Sequence, residues 1–578
     1  MLNARGILAH PLWRLYWAPN RPRSHAIRRT RPALRRAAAV SLVGLFGLLG
    51  RSQATLAEPL RFREVAAAWG LDFRHHHGGS GKYYMVEMMG GGVVLFDYDG
   101  DGDLDVLFVD SGSLPGYQGE APKARLFRND GGGHFVDVTE RSGIKVLGYG
   151  MGGAAADVDG DGNLDLFLTA FGKNQLFHNN GDGTFADVTA SAGVGGDGRW
   201  STSAAFADVD RDGHLDLYVA SYIDFSLEHN RFCGDPAKGL QGYCTPEAYQ
   251  GTHHLFYRNR GDGTFEDATQ KAGLGAGTGA GLGVVWGDVD NDGWPDLYVA
   301  NDQSPNFLYR NRGNGTFEDI SLPSGTAYGP KGLPEGSMGV DLGDYDNDGR
   351  LDIGVANFEL ETNALYHNNG AGLFADNRYV AGIAEPSLLF LAFGLAFADF
   401  DQDGDLDLIL ANGNVQDRPE LFGGVNTYAQ RNHVYENLGG GRFRLVADSG
   451  LDGMRSHRGM AVGDLDGDGD LDVVVVSLND RAEVYENLGG GGAFLAVDLA
   501  GTKSNRFGIG ARIEVETGGK RQIREAKTGA SYLSQSAITA HFGLGKATKA
   551  ERLTVRWPSG KVQVWKDLPA DRRVLVAE

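Results

Sequence analysis

Seven copies of the pattern DxDxDGxxD begin at Asp97, Asp157, Asp208, Asp288, Asp344, Asp399 and Asp464, and no other feature of the chain constrains its fold as tightly. Their starts lie 60, 51, 80, 56, 55 and 65 residues apart. Recurrence on that scale marks an architecture of stacked units, each burying its apolar surface against its neighbours. Within each copy, carboxylates at positions 1, 3, 5 and 9 and a backbone carbonyl at position 7 can wrap one cation, with Gly at position 6 making the sharp turn. The candidate ligands are Asp97, Asp99, Asp101, Asp103 and Asp105 in the first copy, and Asp157, Asp159, Asp161, Asn163 and Asp165 in the second. The third and fourth copies offer Asp208, Asp210, Asp212, His214 and Asp216, then Asp288, Asp290, Asp292, Trp294 and Asp296. Asp344, Asp346, Asp348, Arg350 and Asp352 follow, then Asp399, Asp401, Asp403, Asp405 and Asp407, and finally Asp464, Asp466, Asp468, Asp470 and Asp472. His214, Trp294 and Arg350 enter only through their carbonyls. An all-oxygen set favours Ca²⁺ over Zn²⁺, with Mg²⁺ the weaker match, so about seven Ca²⁺ sites are expected.

The same opening residues begin an EF-hand, which also needs a bidentate Glu at position 12 and flanking helices. Position 12 is Phe108, Leu168, Val219, Val299, Val355, Leu410 or Val475, and the runs after the loops are β-formers such as Leu217-Tyr218-Val219-Ala220. Each loop therefore joins two strands. The alternative, plain Asp-Gly turns with solvated acids, leaves four or five carboxylates crowded in nine residues without a counter-charge. A second pattern, aromatic-x-Asn followed by Gly and then Phe, comes after every loop, as in Phe177-His178-Asn179 to Phe185 and Tyr309-Arg310-Asn311 to Phe317. It reads as a hairpin. One repeat is then four strands, and the chain is predicted to be all-β, a seven-bladed β-propeller with a small C-terminal β-domain. Phe62-Arg63-Glu64-Val65 resembles repeat ends such as Phe185-Ala186-Asp187-Val188 and is one candidate for the last blade's outer strand, Phe494 to Leu499 being the other.

The loops and hairpins resemble FG-GAP repeats, the Ca²⁺-loop propeller repeats of integrin α-subunits. Beyond them, Ser504-Asn505-Arg506-Phe507-Gly508-Ile509-Gly510-Ala511-Arg512, Tyr532-Leu533-Ser534-Gln535-Ser536, His541-Phe542-Gly543-Leu544-Gly545 and Val555-Arg556-Trp557-Pro558-Ser559-Gly560 resemble the ASPIC/UnbV pattern. The whole arrangement is similar to the cartilage acidic protein family and its bacterial relatives. That resemblance implies an exported Ca²⁺-binding propeller over 58–494 and an ASPIC/UnbV-like domain over 495–578, and no agreed activity. The tail has alternating strand-like runs of its own and no acidic loop. Its polar residues Asn505, Arg506, Arg512, Arg524, Gln535, His541 and Arg556 are read as pinning turns and strand edges rather than as an anion or glycan site.

Residues 1–57 hold ten arginines and no acid, followed from Ala37 to Gly50 by an apolar run and then by small residues ending at Ala57. This is the pattern of a targeting segment, with a Sec signal favoured over a twin-arginine one. Fourteen apolar residues are short of the roughly 20 that span a bilayer, so no stable membrane span is expected after cleavage. Loss of those arginines takes the formal net charge from −21 to −31, which excludes a broad nucleic-acid face. The only two cysteines, Cys233 and Cys244, lie in an insertion over about 221–254 and are expected to form a disulfide in a periplasmic or secreted protein. His75-His76-His77 is expected to be a solvated loop triplet. Strand-end residues Asn301, Asp302, Asn357, Glu359, Asn412 and Asn414 define one rim and are the candidate ligand site. No GxSxG, GxxxxGK[ST] or HExxH motif is present. The favoured function is a recognition scaffold for an extracellular or periplasmic protein or glycan. The alternative is a metal-dependent lyase or isomerase acting on a polysaccharide or small metabolite at the rim, with a rim carboxylate as base and a cation polarising the substrate.

Overall fold

A computed structural model describes residues 60–578, so the targeting segment over 1–57 lies outside the described residues. Strand dominates, helices are single turns of four residues or fewer, and none is long and apolar enough to cross a membrane among the described residues. The repeats form seven four-stranded antiparallel sheets, numbered here one to seven in chain order. Their first strands are Val93–Phe96, Tyr149–Ala156, Ser201–Ala207, Gly281–Gly287, Ser337–Gly343, Ala392–Ala398 and His457–Gly463. Each packs on the first strand of the next sheet, and the seventh returns to the first. The core accordingly lies between sheets. Phe167, Phe206, Leu217 and Tyr257 fill one such layer, and Tyr218, Trp286, Val299 and Phe317 the next.

Every acidic loop connects a first strand to a second strand that starts at its position-9 aspartate, from Asp105–Phe108 to Asp472–Ser477. Sheet seven is completed by Phe62–Glu64, which pairs with Glu483–Asn487 in the register Phe62 with Asn487. Closure is therefore by an N-terminal strand laid on the last sheet, which decides between the two strands the sequence left open. The freed segment Ala493–Ala500 instead joins the C-terminal region, antiparallel to Ala540–Gly545 and parallel to Arg572–Ala577.

The C-terminal region closes the ring in a second way. From it, residues 528–537 run through the middle of the ring and hydrogen-bond to all seven first strands. Gln535 N–H donates to Val93 O (2.9 Å) and its carbonyl accepts from Leu95 N–H (3.0 Å). Leu533 O accepts from Gly153 N–H, Ser531 pairs both ways with Val340, Ala530 N–H donates to Val284 O, and Ala537 N–H donates to Val462 O. Thr528 Oγ1 accepts from Phe206 N–H and Ser531 Oγ from Leu395 N–H. First strands at the centre of a ring have an unpaired edge, and this segment satisfies it. Gly92 and Gly152 are glycines for that reason, since a Cβ at either would meet Leu533 O at 1.7 and 2.4 Å.

Candidate functional site

The acidic loops form one built layer. In the first, Asp97 accepts from Gly100 and Gly102 N–H (2.8 and 2.9 Å), and Asp101 accepts from Asp103 N–H (2.9 Å). Asp105 accepts from Tyr98 N–H and from Asn129 N–H, both at 2.8 Å. Asn129 belongs to the aromatic-x-Asn element, and its Nδ2 donates to Leu465 O (2.7 Å) at position 2 of the seventh loop. The other six asparagines repeat this reach to the preceding loop. Asn179 bonds Tyr98 O, Asn259 bonds Val158 O, Asn311 bonds Val209 O, Asn368 bonds Val289 O, Asn437 bonds Tyr345 O and Asn487 bonds Phe400 O. The sequence shows this asparagine only as part of a hairpin. In the fold it is a clasp between neighbouring sheets, repeated until the ring closes.

The loop donors are all oxygen, and those of Asp97, Asp99 and Asp105, of Asp157, Asp159 and Asp161, and of Asp208, Asp210 and Asp212 converge within 4.8 Å. Burial, reinforced by Asp99 and Asp97, pushes Asp105 up to about 8. Burial does the same to Asp399, and raises Asp208 and Asp344 to about 7. A divalent cation supplies the charge that these carboxylates lack, so the residues present fit Ca²⁺. The loops are not equivalent. The middle residue of aromatic-x-Asn leans over each loop and differs between sheets. His178 Nδ1 lies 3.1 Å from Asp165 and 3.3 Å from Asp159, and His367 takes the same place beside Asp346 and Asp352. Arg258 contacts Asp210 and Asp216, whereas Glu436 and Glu486 add negative charge near Asp401 and Asp466.

The C-terminal region covers this loop face. Arg573 donates to Gly102 O (2.5 Å), Arg512 to Gly349 O (2.7 Å), Lys520 to Asp403 O (3.0 Å) and His541 to Gly469 O (2.8 Å). A cleft of about 510 Å³ lies between this region and sheets three and four. Within it Glu514 is held by Arg512, Arg521 and Arg556 at 2.8–3.3 Å, while Glu525 forms no ion pair among the described residues and is raised by burial.

The opposite face carries the rim residues and the insertion. Five residue steps separate Asp296 from Asn301 along one second strand, so the two faces are roughly 17 Å apart at about 3.4 Å per step. Asn301, Asn357 and Asn412 end their strands fully buried, and their amides donate to the carbonyls of Pro305, Thr362 and Arg431. Asp302, Glu359 and Asn414 instead line a cavity of about 350 Å³. Asp302 accepts from Tyr222 Oη at 2.6 Å, and burial pushes its carboxyl up to about 7. Glu359 is raised by burial and accepts weakly from Asn414 Nδ2 (3.4 Å).

Cys233 and Cys244 are joined, with their Cα atoms 5.2 Å apart, and the hairpin Cys233–Asp235 with Leu240–Gly242 lies between them. Tyr243 of the insertion exchanges hydrogen bonds with Gln416 (3.0 and 2.7 Å), which fixes the insertion over the cavity. Glu247 and Tyr222, both outside the rim set read from sequence, also face the cavity. The only available signal for Tyr222 was its place in register, directly after a second strand, like Asp302. His75 departs from the solvated-loop expectation. It is buried, bonds Ser111 Oγ through Nε2 (3.1 Å) and accepts from Asn479 N–H, because the segment packs between sheets one and seven, where its own N–H donates to Asp480 O.

This ring of clasped acidic loops is an FG-GAP β-propeller, and comparison with known families agrees. The FG-GAP-like repeat family matches residues 97–168, 157–219, 248–299, 288–355 and 417–475, and the ASPIC and UnbV family matches 501–578. The chain belongs to the FG-GAP repeat family and carries a C-terminal ASPIC/UnbV domain. Among individual proteins it is similar to Cartilage acidic protein 1 of Xenopus tropicalis, 28% identical over 501 residues, covering 82% of this chain and 70% of the relative. The Homo sapiens protein of that name is 27% identical over 505 residues, covering 82% and 69%. Among solved structures, an Agrocybe aegerita protein that recognises non-reducing terminal N-acetylglucosamine is 18% identical, covers 67% of this chain and 88% of its own, and has a TM-score of 0.36.

Proposed function

We propose that this chain is an exported, Ca²⁺-loaded propeller that acts as a recognition scaffold and takes its ligand in the cavity beneath the stapled insertion. The carrying observation is the division of labour between faces. Acidic loops, asparagine clasps and the C-terminal domain occupy one face, and an acid-lined cavity that neither Lys nor Arg lines lies on the other, roughly 17 Å away by strand rise. Ca²⁺ in the loops then stabilises the frame, and loops at the far rim do the binding. The disulfide suits an oxidising compartment, in keeping with the Arg-rich segment at the N-terminus.

The separation speaks against a loop cation polarising a substrate at the rim. A metal-independent enzyme is the second reading, favoured by one observation: Asp302, raised to about 7 and bonded to Tyr222, has the properties of a general base. Two substitutions test the division. Asp208→Ala is expected to lose one bound Ca²⁺ by elemental analysis and to lower Tm, whereas Asp302→Ala keeps the full Ca²⁺ content. Loss of Ca²⁺ from Asp302→Ala would refute the separation of faces.

A further inference from the structure

The rim cavity is acidic in an unusual way. Asp302, Glu359 and Glu247 line it, and no Lys or Arg does. Among the described residues none of the three forms an ion pair, and the charged groups that perturb Asp302 are other acids, Glu361 and Glu247. A buried cation, Arg458, stands behind Phe393 with its guanidinium carbon 4.0 Å from the ring centroid. Its protons go to Met88 O, His457 O, Asn414 O and Ser456 Oγ. It therefore gives the cavity acids no hydrogen bond.

Met88, Met338, Phe358, Phe393 and Phe422 give the wall an apolar and aromatic part, beside the neutral polar groups of Thr245, Gln303, Asn414 and Gln416. Both Asp302 and Glu359 precede residues held in the left-handed region, Gln303 (φ 50°) and Leu360 (φ 69°), a conformation that costs about 1–3 kcal/mol and persists only where the surroundings enforce it. The backbone that carries the two carboxylates is thus held, and Tyr222 Oη orients Asp302 (2.6 Å).

Carboxylates in an apolar enclosure need a counter-charge, and aromatic and thioether walls suit a cation that carries hydrocarbon. We infer that the cavity binds a small organic ammonium ion, its charged head between Asp302 and Glu359 and its apolar body against Phe358, Phe393 and Met338. The inference rests on the rim-site reading and deepens it, since it excludes uronates and other anionic ligands by charge. A volume of about 350 Å³ accommodates an arylalkylamine and falls at the lower end of the range for ligand sites.

The test is titration calorimetry on the full Ca²⁺-saturated protein with three matched probes: 2-phenylethylamine, the neutral 2-phenylethanol and the anionic 3-phenylpropanoate. The amine is expected to bind at least tenfold more tightly than the alcohol, and the propanoate not at all. Asp302→Asn and Glu359→Gln are each expected to weaken the amine at least tenfold with Tm unchanged, and Asp208→Ala to leave it unaffected apart from the lost Ca²⁺. Equal binding of amine and alcohol, survival of amine binding in the Asp302→Asn/Glu359→Gln double variant, or no binding of the amine would each overturn the assignment. The same samples report Ca²⁺ content, so a failed ligand class is distinguishable from a failed Ca²⁺ scaffold. Binding of the alcohol alone overturns the ammonium assignment while the rim-site reading of the proposed function stands.

Discussion

Gln535→Ala removes the side chain that joins the C-terminal domain to sheet two at the centre of the ring. Gln535 is fully buried, its Oε1 accepts from Ala155 N–H (3.0 Å) and Gly529 N–H (3.3 Å), and its Nε2 donates to Ala155 O (3.2 Å). Truncation leaves two buried N–H groups without acceptors. At about 1–3 kcal/mol for each orphaned group, the expected loss is about 2–6 kcal/mol. With an unfolding entropy of about 2.1 cal/mol/K per residue over roughly 520 residues, that lowers Tm by about 2–5 °C. Gln535→Met keeps the volume and removes the same bonds, so it separates hydrogen bonding from packing and should cost nearly as much. Urea unfolding in saturating Ca²⁺ measures both, with the buried Trp286 in sheet four and Trp557 in the C-terminal domain as probes on either side of the junction. One transition common to ring and tail is expected, shifted to lower urea in both variants. A shift worth less than about 0.5 kcal/mol, or a tail that unfolds while the ring is unchanged, refutes the claim that this segment is integral to the ring.

Three further outcomes follow from the loops and the insertion. In excess chelator the folded-state carboxyls of Asp105 and Asp399, raised to about 8, bind protons that the unfolded chain has released near pH 4, so Tm is expected to fall as pH rises from about 4 to 8. Saturating Ca²⁺ should raise Tm most at the upper end of that window, and a chelator-insensitive melting curve at pH 8 would remove the Ca²⁺ reading. Arg258→Gln takes away a guanidinium touching Asp210 and Asp216, and calcium titration should show one site tightened by roughly tenfold or more, whereas Glu486→Gln should weaken one. Cys233→Ser with Cys244→Ser opens a link of sequence separation 11, worth about 3 kcal/mol of local chain entropy, so limited proteolysis should cut within 221–254 sooner while the ring's calcium content holds.

What the sequence made legible was whatever every repeat contains. Loop and hairpin are local, and seven copies average out the ambiguity of any one, so the loops and the strands that flank them could be read before the fold was known, whereas Phe62–Glu64 is by sequence only one of two candidates for closure, and its pairing decides. The central segment is different in kind. Residues 528–537 occur once, resemble no repeat, and meet partners some 70 to 440 residues away, so neither period nor spacing announces that they cross the ring. The rim follows the same logic more finely. Asn301, Asn357 and Asn412 recur at the last position of successive second strands, and recurrence drew attention to them, yet all three are spent on backbone carbonyls. One residue further on, Tyr222, Asp302 and Phe358 hold one register position in sheets three, four and five, are a phenol, a carboxylate and a plain aromatic ring, and all face the cavity. In a ring of like units, a residue shared by many of them answers a need shared by many, which is pairing, capping or clasping. A ligand breaks the symmetry of the ring, so its contacts must come from positions where the units differ. On that reasoning, the sequence signal for a binding site in a repeat protein is a register position whose residues diverge while its flanks repeat, and the position after the second strand is where this chain shows it.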